Sequence, residues 1–246
     1  MRLSNLSKNL LLMVILAIPT LCFSKENKSD DILTLITDFT YKIGSGDSKE
    51  KYEALALYGA KSKAVVLSAK YFTDKNLLEN YGEKQREIFC LAANEVQATV
   101  IENKYFEPTK AYYIKIRSTP KITDFIKAEI KNAGLERKER NFSWQEEMEQ
   151  YVYTSINPAQ ELSRAYRYIR KKQWRIAIIY LDHLEKKYPN WAELYLAKAT
   201  GFYGMHDIVR MRDALKHSCS LGNQEACEDL ERLVQSDPND LKLNPN

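Results

Sequence analysis

Glycine and proline are scarce, at eight and seven in 246 residues. That shortage argues against an all-β sandwich, which needs many turns, and toward a largely helical chain. Histidine is scarcer still, and His183, His206 and His217 show neither a His-x3-His spacing nor a His-Glu pair. A zinc site needs such a ligand set. The chain also lacks Gly-x-Ser-x-Gly, and no Ser-x-x-Lys comes with catalytic partners, so no serine reads as a nucleophile. Gly44-Ser-Gly46 has no third glycine and no Lys-Ser/Thr pair, so it reads as a turn rather than a phosphate loop. These gaps lead to the expectation of a non-enzymatic protein with no catalytic residue, no cofactor and no metal.

An excess of one charge is missing too. The formal net charge is +4, with acids and bases interspersed, which gives no footprint for nucleic acid. The apolar run from Leu10 to Ile18 is too short for a membrane span of about 20 residues. It follows the basic Arg2 and Lys8 and precedes Pro19 and the charged Lys25-Glu-Asn-Lys28, which is the pattern of a secretory signal peptide. Cleavage after Ser24 is the preferred reading. A lipid-modified Cys22 is a second one, although Leu21 is large for the residue before such a cysteine, and an uncleaved anchor is a third. Loss of residues 1–24 removes Arg2 and Lys8 and no acid, which lowers the formal charge by two, to +2. The expected location is periplasmic or secreted, with membrane contact confined to the signal peptide or a lipidated Cys22.

Cysteine is few but placed with purpose. Without the leader, Cys90, Cys219 and Cys227 remain, an odd count that leaves one unpaired. Cys90 lies in Ile88-Phe-Cys-Leu-Ala92 and reads as a buried, inert thiol. Cys219 and Cys227 have seven residues between them, with Gly222-Asn223 where one helix must stop. That arrangement suits a disulfide stapling one helix to the start of the next. Redox motifs use a shorter gap and an exposed thiolate.

From 31 to 134 the pattern is α+β. Leu33, Leu35, Phe39, Tyr41 and Ile43 alternate with polar residues and predict a half-buried strand. Asp47 or Ser48 can cap the helix expected from Lys49 to Phe72, with apolar positions including Tyr52, Leu55, Gly59 and Val66. A helix over 81–93 precedes a hairpin, Val96 to Ile101 and Tyr112 to Arg117. Thr119-Pro120 is expected to open a further helix, with Ile122, Phe125, Ile126 and Ile130 inward and Ala133-Gly134 at its end. The strand, Gly44-x-Gly46, the alanine-rich helix and the hairpin together resemble the amino-terminal module of the flagellar motor ring protein T and related bacterial envelope proteins. That resemblance covers about 31–132 and implies a non-enzymatic assembly module.

From 143 to 232 the chain reads as an all-α domain of helical hairpins. Ser143-Trp-Gln-Glu146 is a capping-box signature, and Asn157-Pro158 starts another helix. Ala165, Tyr168, Trp174, Ala177, Leu181 and Pro189 are similar to a tetratricopeptide unit, and Tyr195, Ala199 and Phe202 repeat it at about 34 residues. Leu221-Gly222-Asn223 resembles the corner of Sel-like repeats. The nearest likeness is their disulfide-pinned, cysteine-rich subgroup, whose bridging cysteines Cys219 and Cys227 match. Residues 236–246 are polar and read as a flexible tail.

The sharpest surface feature is basic and aromatic. Arg164, Arg167, Tyr168, Lys171, Trp174 and Arg175 follow helical spacing and predict a partner-binding face for an acidic peptide or envelope polymer. The competing reading is a solvated face balanced by Glu161, Asp182 and Glu185. The functional expectation is an exported scaffold that binds a protein partner in an envelope assembly such as a motility, pilus or secretion apparatus. The alternatives are a cell-wall-directed binder or hydrolase, and a secreted effector.

Overall fold

The computed structural model describes residues 33–139 and 157–236. The signal pattern, Cys22 and the capping box at 143–146 lie outside the described residues, as does the tail beyond 236.

β1 (Leu35–Lys42) buries Thr37, Phe39 and Tyr41 and exposes the residues between them, as its alternation requires. Asp47 organises the following turn. Its Oδ2 accepts from the Gly44 N–H at 2.7 Å and from the Tyr41 hydroxyl at 3.1 Å. The Ser48 side chain then caps α1 (Lys49–Asp74) by accepting from the Lys51 N–H. α1 lies tight against the sheet because it has Gly59 there: a Cβ at that position would sit 2.7 Å from the Phe39 ring. A one-turn 3-10 helix, Gly82–Lys84, leads into α2 (Gln85–Glu95).

β2 (Ala98–Phe106) and β3 (Ala111–Ser118) form the hairpin, and the antiparallel sheet has the order β1-β3-β2. Tyr112, Ile114 and Ile116 of the central strand are buried, as their alternation predicts. β2 departs from expectation. Val96 caps α2 instead of opening the strand, and a bulge between Val100 and Glu102 breaks the alternation, leaving both Val100 and Ile101 exposed on the sheet edge.

α3 (Ile122–Glu139) corrects two further expectations. Pro120 lies ahead of the helix, where Asp124 Oδ2 accepts from the Lys121 N–H at 3.0 Å. Ala133-Gly134 does not end it. Ile126 and Ile130 are exposed, and the inward stripe is Asp124, Phe125, Ala128 and Asn132. The helix continues because Asn132 and Glu136, on either side of Gly134, engage arginines of the next segment. Such partners outweigh the modest cost of a mid-helix glycine.

Five helices follow: α4 (Pro158–Arg170), α5 (Trp174–Lys187), α6 (Ala192–Gly204), α7 (Ile208–Ser220) and α8 (Gln224–Ser236). Asn157 caps α4 by accepting from the Gln160 N–H at 3.2 Å. α4 and α6 begin 34 residues apart, and so do α5 and α7. Lys172 and His206, at the same spacing, both adopt positive φ in the turns that reverse each helix pair.

The two halves share one hydrophobic core, running from Phe39 to Leu221. Trp191 is its pivot, edge-on to Tyr58 of α1 at 6.0 Å and to Tyr188 at 5.5 Å. A second cluster, including Met211, Phe202 and Ala226, packs beneath α8. A short helical array has an open face to bury; here α1 and α2 cover it.

Candidate functional site

The Cys219–Cys227 bridge is formed, with a Cα–Cα distance of 4.8 Å, and it joins the end of α7 to the first turn of α8. The local sequence makes this corner without strain. Gly222 takes φ 95°, its N–H donates to the Cys219 carbonyl, and the Asn223 side chain caps α8 by accepting from the Ala226 N–H at 2.9 Å. Ser218 Oγ donates to the Ala192 carbonyl at 2.8 Å and ties the corner to α6. Lys42 Nζ donates to the Ser220 carbonyl and ties it to β1.

That corner forms one wall of a cavity of about 500 Å³. Opposite it, α1 contributes Tyr58, Lys63, Val66 and Leu67, and α2 contributes Arg86, Phe89 and Cys90. Phe39 of β1, Leu162 and Tyr166 of α4, and Glu193 and Leu196 of α6 also line it. Val66 and Leu67 are each 52% exposed, and Val66 thereby departs from the apolar positions expected along α1. At the rim Arg86 makes a two-point pair with Glu225 and lies 5.6 Å from the Tyr166 ring.

The electrostatics of the cavity follow from burial. Burial pushes the Cys90 thiol up to about 12, which the neighbouring Tyr58 hydroxyl and Arg86 offset in part. Cys90 is therefore a protonated thiol and a poor nucleophile. Burial also pushes the Glu193 carboxyl up to about 7, against the opposing pull of its own backbone N–H, the Trp191 indole and Lys63. Glu193 Oε2 is closed to solvent and has no hydrogen-bond partner, and Trp191 Nε1 is in the same condition. The indole is thus near enough to favour the charged carboxylate without reaching hydrogen-bond geometry.

The basic aromatic segment does not form one face. Arg164, Arg167 and Tyr168 are buried, with Arg167 only 1% exposed. Arg167 Nε donates to Glu87 Oε2 at 3.3 Å, and its Nη2 donates to Asn132 Oδ1 at 3.0 Å and to Ser163 Oγ at 3.4 Å. Arg170 joins the same network through Glu87 at 2.5 Å and Glu136. These arginines fasten α4 to α2 and α3, so the expected groove for an acidic partner is, on this stretch, an internal joint. Of the proposed balancing acids, Glu161 accepts from the Tyr180 hydroxyl and Asp182 and Glu185 pair with Lys198. Lys171 is exposed, and Trp174 and Arg175 border an open hollow of about 520 Å³ with Lys172 and His206. The Trp174 ring there covers Gly204, where a Cβ would lie 2.6 Å away.

Sequence reasoning identified Cys219 and Cys227 but missed Glu193, Arg86 and Glu87. One signal was available: Val66-Leu67 puts two large apolar residues side by side on a helix, so both cannot follow the inward stripe. Glu193 carried none, since an acid in a first helical turn is ordinary.

Among the described residues no group of three or more His, Cys, Asp or Glu is placed to hold a metal ion, and no helix is long and apolar enough to cross a membrane. The architecture is an α+β layer built into a run of antiparallel helices and sealed at its last corner by a disulfide. No protein-family model, curated protein or solved structure matches the chain.

Proposed function

We propose that this is an exported, non-catalytic interaction protein of a bacterial cell envelope, in which the cavity walled by the disulfide corner receives part of a protein partner. The observation that carries this reading is the position of the Cys219–Cys227 bridge. It fixes a short corner whose Gly222, Asn223 and Glu225 line the cavity, and the cavity's other wall presents exposed Val66 and Leu67. Exposed apolar side chains beside a rigid wall are what a docking segment needs.

Export rests on the leader pattern at residues 2–28, and a bridge of this kind persists in an oxidising compartment. The resemblances to the flagellar ring protein module and to disulfide-pinned Sel-like repeats support the same assignment. Members of the first act as assembly modules, and the 34-residue spacing of the helix pairs suits the tetratricopeptide likeness. The buried Arg167 moves the partner surface away from the 164–170 stretch. Lys171, Trp174 and Arg175 remain as a subsidiary contact.

Chemical crosslinking in intact cells, followed by fractionation and affinity recovery, tests this. The expected result is a defined higher-mass species in the envelope fraction. Recovery of free monomer alone, or of protein confined to the cytoplasm, counts against it.

A further inference from the structure

β2 is an edge of the sheet, and among the described residues no strand pairs with its outer rim. It has nine residues and no proline, where a typical strand has about five or six. α1 packs on β1 and β3, and four large apolar side chains of β2 stay exposed: Val100, Ile101, Tyr105 and Phe106. A long, apolar, open edge is a template for a further strand.

Charge says which strand. On the sheet face turned away from α1, Asp38, Lys115 and Glu102 stand opposite one another across the three strands, so their signs alternate up to the β2 edge. The next position in that row calls for a base. The following row on the same face, Thr40, Tyr113 and Lys104, ends on a base and calls for an acid. Glu102 and Lys104 thus flank Asn103 with opposite signs, and in the single chain they pair with each other at 2.5 Å.

We propose that two copies of this chain join antiparallel through β2, about a twofold axis that passes by Asn103 perpendicular to the sheet. Side chains alternate with period two and opposed residues share a face, so the axis must fall on a residue and not between two. An axis on Glu102 or on Lys104 sets like charges opposite each other. An axis on Asn103 sets Glu102 of each copy opposite Lys104 of the other. Both rows then continue across the joint with alternating sign. Tyr105 of each copy meets Ile101 of the other, an aromatic side chain against a β-branched one. An edge guarded by lysines alone repels a second copy, whereas this one carries both signs in symmetric places. The bulge between Val100 and Glu102 ends the regular ladder, so the joint is short and the dimer weak.

Among the described residues none of β2 lines the cavity, so the joint goes beyond the cavity reading and is tested apart from it. Sedimentation velocity of the purified, oxidised protein from about 1 µM to about 1 mM covers the affinities of small interfaces. The expected result is a monomer that becomes a dimer as concentration rises. Glu102→Lys and Lys104→Glu are each expected to weaken that dimer about tenfold or more, since each makes both charge pairs repulsive. Mixed in equal amounts, the two variants are expected to pair with each other about as tightly as the unmodified chain does with itself, because an acidic edge then faces a basic one.

Asn103→Cys reads the register separately. Opposed residues of an antiparallel pair stand about 5 Å apart, within disulfide range, so oxidation is expected to link two copies through position 103. Monomer at every concentration of the unmodified protein overturns the proposal and leaves the edge to a strand of another protein. So does a dimer that both charge variants form as well as the unmodified chain, or a mixture no tighter than either variant alone. A dimer that Asn103→Cys does not link overturns it too, and that comparison stands even where a charge variant fails to fold.

Discussion

Arg86 and Glu225 stand 139 positions apart and meet as a two-point pair, with Arg86 Nη1 2.9 Å from Glu225 Oε2 and Nη2 on Oε1. The pair joins α2, in the α+β layer, to the first turn of α8, beside the bridge. Its side chains are 44% and 43% exposed, so it adds little to stability. Its effect is positional: it holds the disulfide corner across the mouth of the cavity.

The bridge closes a short loop, and closure of that length contributes about 2–3 kcal/mol through the unfolded state. Cys219→Ser is expected to lower the melting temperature under oxidising conditions. Reductant should bring the unmodified protein down to the variant. Cys90→Ser leaves the reductant dependence intact, since Cys90 is a buried free thiol. Thermal melts with and without reductant measure this, and coincident curves for the unmodified protein would contradict a stabilising bridge.

Glu87 is fully buried and accepts from both Arg167 and Arg170. Glu87→Gln removes the buried carboxylate that Arg167 and Arg170 share, with Arg170 keeping Glu136, and is expected to cost about 3–5 kcal/mol. Adding Arg167→Met to that variant recovers part of the loss, because it removes a buried positive charge that Glu87 neutralised. Urea unfolding of the single and double variants checks the pair, and a loss below about 1 kcal/mol for Glu87→Gln would mean the joint is not electrostatic.

Burial raises the Glu193 carboxyl from 4.5 to about 7 in the folded chain. Between those values the unfolded chain gives up its proton while the folded chain keeps it, so stability falls as pH rises. Below about 4.5 this group imposes no penalty, and above about 7 the penalty is constant, on the order of 3 kcal/mol. Glu193→Gln removes that slope. Denaturant midpoints across the window should fall less steeply for the variant than for the unmodified protein; parallel slopes would show that Glu193 ionises normally.

Two glycines in helices should respond oppositely to alanine. Gly59→Ala drives a methyl to within 2.7 Å of the Phe39 ring and is expected to cost about 1–3 kcal/mol. Gly134→Ala meets nothing within 4 Å in mid-helix and is expected to stabilise by about 0.5–1 kcal/mol. Chemical denaturation reads both, and a neutral Gly59→Ala would show that α1 can draw back from the sheet.

What was legible in the sequence was local. The alternation of β1, the Ser48 and Asn157 caps and the Gly222-Asn223 corner all depend on neighbours within a few positions, so their residues carry the signal. The arginine stretch misled for the opposite reason. Helical spacing puts Arg164, Arg167 and Lys171 on related positions, but what decides their exposure is Glu87, 80 positions before Arg167, together with a helix that runs on past Gly134. The cavity was hidden in the same way. Its lining is drawn from β1, five helices and the α7–α8 corner, so no one segment carries its signal.

Site-specific photo-crosslinking in cells is the most direct measurement. A photoreactive residue at Leu67, in the cavity wall and 52% exposed, is compared with one at Ile130, 67% exposed on α3 and away from the cavity lining. The account predicts a discrete crosslinked protein partner from position 67 and none from position 130. Uncrosslinked monomer from both positions, or the same products from each, would contradict it.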